Sequence, residues 1–236
     1  MDVRIGDGIR VHAVLPPIAT SGTTLSVRIP RSRRLRLDDL QADGTLEPEQ
    51  VPRLRRLVRE RVNLLVTGAA GAGKTTLLGA LLAEAPANER LVLIEDVAEL
   101  RVDHPHVVSL ETRQPNLEGA GGIDLTRLVR EALRMRPDRL VLGECRGAEV
   151  RELLAALNTG HDGGAGTLHA NSLRDVPARL EALGALAGLG PEAVARQAVS
   201  AIGAILHLGR AGSARRLVAV GALTVGRDNR LAVVES

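Results

Sequence analysis

Gly68-Ala69-Ala70-Gly71-Ala72-Gly73-Lys74-Thr75 fits the pattern G-x-x-x-x-G-K-[ST] at every fixed position. The residues before it, Val62-Asn63-Leu64-Leu65-Val66-Thr67, read as a short buried strand. Those after it, Thr75 to Glu84, read as a helix with Leu77, Leu78, Leu81 and Leu82 on its apolar side. A loop of this composition between strand and helix is the context in which the motif holds a phosphate chain. Glycines let the backbone wrap closely, and the amide N–H groups at the helix start point at the anion. Lys74 is placed to bring a point charge to the β- and γ-phosphates, and the Thr75 hydroxyl to ligate Mg²⁺. Of the 31 basic residues, Lys74 alone is a lysine. A composition that uses arginine everywhere else keeps a lysine here.

The 236 residues are enough for one full core and part of a second domain. Hydrophobic content of 44% and charged content of 25% are those of a soluble globular protein. No apolar run reaches membrane-spanning length, and Asp2, Arg4, Asp7 and Arg10 break any signal-peptide core, so a cytoplasmic location is expected. The single cysteine, Cys145, excludes an internal disulfide and a cysteine-built zinc site. Phe, Trp and Tyr are absent, so single-stranded nucleic acid has no ring to stack on. With a net charge of only +3, nucleic acid is not an expected partner.

Residues 9–15 and 24–29 alternate with period two and read as strands joined by a loop from Pro16-Pro17 to Gly22. Arg31 to Arg36 is a basic run that reads first as an exposed linker, with a contact for acidic lipid or a hinge presenting arginines to nucleotide as alternatives. A short helix is expected from Asp38, and a longer one after Glu47-Pro48-Glu49-Gln50 with Val51, Leu54, Leu57 and Val58 on its buried face. Beyond the glycine-rich loop, Leu91–Ile94, His106–Leu110, Leu140–Leu142 and Thr167–His169 read as strands. Helices are expected at 124–133, 148–158, 175–186 and 191–199, and β segments close the chain. Strands alternating with helices imply an α/β domain with a mainly parallel sheet and its ligand beyond the C-terminal edge.

Glu95 and Glu144 each follow an apolar strand and so converge on the edge that carries the loop. ATP hydrolysis needs an oriented water and a metal near the β/γ-phosphates, and these two carboxylates are placed to supply both. His169 stands behind Thr167 and Leu168 on the same edge, either as a structural residue or as a phosphate contact. Arg113, Arg134, Arg136 and Arg146 are candidates for charge compensation there.

At this point the chain resembles the ATPases of the type II/type IV secretion superfamily, and most the branch that powers tight-adherence (Tad/Flp) pilus assembly. Four boxes carry the resemblance. Gly68 to Thr76 is similar to the Walker A box, and Ile94-Glu95-Asp96-Val97-Ala98-Glu99-Leu100 to the family's Asp box. Arg136 to Glu144 is similar to its atypical Walker B box, which ends in Gly-Glu, and Gly166 to Ser172 to its His box. The resemblance implies a RecA-like P-loop NTPase domain over residues 38–236, preceded by a truncated β-rich N-terminal segment and linker over 1–37. It implies ATP and Mg²⁺ as cofactors, bound by Gly68, Ala69, Ala70, Gly71, Ala72, Gly73, Lys74, Thr75 and Thr76, with Thr75 and Glu144 at the metal. Glu95 would be the general base, and His169 would couple the site to neighbouring subunits. By the resemblance Arg28 and Arg31 would reach the nucleotide from the N-terminal part; Arg113, from its place on the edge, is the further cofactor-binding candidate. The expected partners are further copies, as a hexamer, and an inner-membrane pilus or secretion platform, with the protein peripheral to the membrane. Alternatives are a conjugation-type ATPase and a nucleotide-binding fragment with little turnover.

Overall fold

The apolar runs of the sequence become strands of an eight-stranded sheet that is covered on both faces. The computed structural model describes residues 2–5, 9–29, 34–116, 118–212 and 214–235. The chain divides into two compact units, Met1–Arg34 and Leu35–Ser236.

The first unit is a three-stranded antiparallel sheet of β1 (Asp2–Ile5), β2 (Ile9–Val14) and β3 (Thr24–Arg28). The second opens with α1 (Leu37–Ala42) and α2 (Gln50–Arg59), then β4 (Leu64–Gly68) and α3 (Lys74–Leu82). Next come β5 (Leu91–Glu95), β6 (Val107–Glu111), α4 (Leu125–Leu133), β7 (Arg139–Cys145), α5 (Val150–Leu157) and β8 (Ala165–His169). The chain finishes with α6 (Val176–Leu186), α7 (Pro191–Ala201), β9 (Ala204–Ala211), β10 (Ala214–Val225) and β11 (Leu231–Glu235).

The strand order is β11-β10-β9-β4-β8-β7-β5-β6. From β9 to β6 every neighbouring pair is parallel, and β10 and β11 extend the sheet antiparallel. Side chains alternate across the pleat, so each apolar run feeds two cores. Leu65, Val92, Ile94, Leu140, Leu142 and Ile205 face the side covered by α4 to α7. Leu64, Val66, Leu91, Leu93, Val141 and Leu206 face the side covered by α1, α2 and α3. The core is built almost wholly from Leu, Val, Ile and Ala, as a chain without Phe, Tyr or Trp requires.

The expected elements all form, with one informative difference. The third buried strand does not stop at Leu142 but runs on through Gly143, Glu144 and Cys145. Its pairing with β8 shifts register between Leu142 and Cys145, so Gly143 and Glu144 lie in an irregularity of the ladder. Such bulges re-aim side chains.

Candidate functional site

The loop after β4 lies where the parallel strands end. Gly68 is the last residue of that strand and sits at φ +152°; a Cβ there would stand 2.6 Å from the Leu208 carbonyl oxygen of β9. Only glycine lets the chain leave the sheet so close to its neighbour. Ala69, Ala70 and Gly71 are exposed, Ala72 is buried, and Gly73 caps α3 in the left-handed conformation. The loop therefore presents backbone to solvent at a helix N-terminus, where anions are favoured. Lys74 opens the helix and folds back, its Nζ donating to Gly68 O at 3.0 Å and Ala69 O at 3.2 Å. Burial lowers its pKa, Glu144 opposes that and Arg146 adds to it. Thr75 and Thr76, half-buried, complete the first turn.

Glu95 ends β5 and is 4% exposed. Its Oε1 accepts from the backbone N–H of Glu99 and of Leu100, each at 3.0 Å. Its Oε2 is buried without a hydrogen-bond partner among the described residues. Burial pushes the pKa above the ordinary glutamate value, against the pull of those two amides. Room for the side chain comes from Gly143 on the neighbouring strand β7, where a Cβ would lie 2.6 Å from Glu95 Cγ. The Gly143 carbonyl in turn accepts from the Thr167 hydroxyl of β8 at 2.6 Å.

Glu144 occupies the irregular turn of the β7 ladder. Its Oε2 accepts from Arg146 Nε at 2.7 Å and from Arg146 Nη2, while Arg146 Nη1 stands 3.6 Å from Asp96 Oδ2. The Arg146 backbone is itself held by Glu149 Oε1 at 2.6 Å. Acid, guanidinium and acid are thus joined across the ends of β5 and β7. His169 pairs in register with Gly68, and the next amide, Ala170, donates to Gly68 O at 3.4 Å.

Arg113 lies just past β6, on the same edge but four strands from β4, a lateral separation of roughly 19 Å at the usual strand spacing. Arg28 ends β3 in the first unit, and Arg31 lies outside the described residues. Arg134 and Arg136 require a correction. They precede β7 and so sit at the opposite, N-terminal edge of the sheet, Arg134 beside Glu131 at 3.3 Å. Arg146 is the one of that group that joins the acids. Cys145 is buried, and burial raises its thiol pKa far from reactivity.

Three residues escaped the sequence reading. His207 of β9 meets, through Nδ1, the Thr67 hydroxyl just before the loop at 2.8 Å in the buried interior. Arg210 Nη2 donates to Gly71 O at 3.3 Å, and Arg215 Cδ comes within 3.3 Å of where a Cβ on Gly73 would be. All come from the last strands, whose alternation was legible but whose neighbour in the sheet was not.

Among the described residues no group of three or more His, Cys, Asp or Glu could hold a metal unaided, and no helix is long and apolar enough to cross a membrane. The donor set, a threonine hydroxyl and an acid beside a phosphate-shaped loop, fits a hard cation that arrives on nucleotide phosphates and keeps much of its water.

A model of the family described as type II/IV secretion system protein matches residues 1–216. A protein of Mycobacterium tuberculosis provisionally named for conjugal transfer is 50% identical over 229 residues, covering 97% of this chain and 65% of that protein. The conjugal transfer protein TrbB of Rhizobium radiobacter is 36% identical over 215 residues, covering 89% of this chain and 63% of its own length. The chain thus spans just under two thirds of these relatives. The crystal structure of the VirB11 ATPase from the Brucella suis type IV secretion system, in complex with sulphate, superposes with a TM-score of 0.66 at 27% identity, over 94% of this chain and 75% of that one. The α/β architecture is that of the RecA-like secretion ATPases, and the chain belongs to the type II/IV secretion system protein family.

Proposed function

We propose that this chain is the ATP-hydrolysing subunit of a motor that drives export or pilus assembly at the inner membrane. The observation that carries the reading is Glu95: a buried acid with one oxygen that has no partner among the described residues, on the same sheet edge as the lysine-bearing loop. A carboxylate with a raised pKa and an open acceptor suits a general base that orients and deprotonates water. Gly68 to Thr76 would wrap the phosphates, Lys74 exchanging its carbonyl contacts for phosphate oxygens. Thr75, and Glu144 through water, would hold Mg²⁺, which neutralises charge on the transferring group. His169, in register with Gly68, would report the state of the loop to the ring. Arg28, and Arg113 at the far side of the sheet edge, would add positive charge at the nucleotide, and the working form would be a hexamer. Such an arginine contributes about 10³ or more in rate.

For the machine it serves, the names of the relatives favour conjugal transfer and type IV secretion. The tight-adherence pilus branch is the second reading, carried by the resemblance of the four boxes. The test of the motor is specific ATPase activity across protein concentrations, with Lys74→Ala as blank and Glu144→Gln as a binding-competent control. Activity per chain should rise with concentration and vanish in both variants while Glu144→Gln still binds ATP. Equal turnover in Glu144→Gln and wild type would remove Glu144 from the mechanism.

A further inference from the structure

Strand β9 pairs with β4 up to Leu208 opposite Gly68. There β4 turns away into the glycine-rich loop, while β9 continues to Ala211. Three further residues carry it about 10 Å beyond the start of the loop. The alternation that turns Leu206 and Leu208 toward the α3 side turns Arg210 the same way, and its guanidinium lands on the Gly71 carbonyl. On the returning strand Arg215 is the direct cross-strand partner of Arg210, so the two lie on one face, and its side chain reaches Gly73. Like charges directly opposite in an antiparallel pair are unfavourable. Neither arginine is salt-bridged to a carboxylate among the described residues, whereas the adjacent Arg216 is paired with Glu47 at 3.2 Å. Two guanidiniums thus stand side by side over a phosphate-shaped loop with an anion's charge still to be met.

Which part of a nucleotide they meet follows from the strand order. Glu95 and Glu144 belong to β5 and β7 and Arg146 follows β7, all on the β8 side of β4, and Lys74 responds electrostatically to Glu144. The terminal phosphate belongs on that flank. The opposite, β9 flank receives the other end of the phosphate chain and the nucleoside. We propose that Arg210 and Arg215 form this nucleoside-side subsite within the same chain, binding the α-phosphate and giving the base a planar guanidinium to lie on. A chain without Phe, Tyr or Trp has arginine for that purpose.

The inference rests on the nucleotide-binding reading, and calorimetric titration of the full chain with ADP and with inorganic pyrophosphate separates the two. Pyrophosphate needs only the lysine-bearing end of the loop. In Arg210→Ala/Arg215→Ala the affinity for ADP should fall about tenfold or more while that for pyrophosphate holds. Arg216→Ala, the neighbouring charge, should leave both unchanged. Equal losses for ADP and pyrophosphate would make the pair a prop for the loop, and an unchanged ADP affinity, or an equal loss in Arg216→Ala, would also overturn the subsite. Lys74→Ala tests the parent reading separately: if it binds both ligands as wild type does, the loop is not the nucleotide site, whatever the arginines do.

Discussion

At Gly143 a hydrogen stands where any other residue would put a carbon against the Glu95 side chain. Gly143→Ala should therefore cost about 1–3 kcal/mol by overpacking. Its larger effect should fall on turnover, on the order of 10²-fold, because it displaces the base. Nucleotide affinity should hold, and comparing kcat with ADP affinity checks this. Glu95 itself holds a raised pKa. Between the ordinary value of 4.5 and the folded one the native state binds the extra proton, so rising pH costs stability across that window. Glu95→Gln should abolish turnover and raise the unfolding midpoint at neutral pH. In wild type the acid limb of the pH–rate profile should lie above 4.5. His207 behaves in the opposite sense. Burial lowers its pKa below 6.5, so between the folded value and 6.5 the unfolded chain binds more protons. Its contribution is complete above 6.5 and is lost as pH falls; denaturant melts from pH 5 to 7.5 should show the slope, and His207→Gln should flatten it.

Elements are tied together by a buried ion network at the other edge of the sheet. Arg139, first in β7 and 2% exposed, meets Glu89 through Nε and donates to Val58 O at the end of α2 at 2.9 Å. Arg61 meets the same carboxylate and the Asp138 and Asp162 carbonyls. Removing one member leaves a buried charge uncompensated, so Glu89→Ala should cost about 3–5 kcal/mol in chemical unfolding. Much of this layer was legible in the sequence. Leu64–Val66, Leu91–Ile94 and Leu140–Leu142 are continuous apolar runs, and the residues that follow these strands fall on one edge by topology alone. Arg134 and Arg136 precede the strand read at Leu140–Leu142, so their place on the opposite edge was already implied by strand direction and was misassigned rather than hidden. What was hidden is lateral. Gly143 and Glu144 looked like the residues after a strand, yet they are an irregular part of it, because a register shift depends on the partner strand and leaves no local signature. Arg210 and Arg215 face the loop because β9 adjoins β4, a pairing between residues far apart in sequence.

In the larger unit the loop springs from β4, which lies inside the sheet and is flanked on both sides by parallel neighbours. A nucleotide bound there should therefore stabilise the fold as a whole. At 100 times its dissociation constant ADP should add about 2.7 kcal/mol, absent in Lys74→Ala. Scanning calorimetry or circular dichroism must read it, since the chain has no tryptophan or tyrosine to fluoresce. The same position of β4 has a consequence for biosynthesis. Its two neighbours are residues 165–169 and 204–208, so the strand that carries the loop emerges from the ribosome long before either flank exists. A nascent chain must hold the apolar run Leu64-Leu65-Val66 without its second flank through the translation of more than half the protein, and no release of a chain ending before β9 can yield a closed centre. Chaperone dependence in the cell should end abruptly once Leu208 has cleared the tunnel.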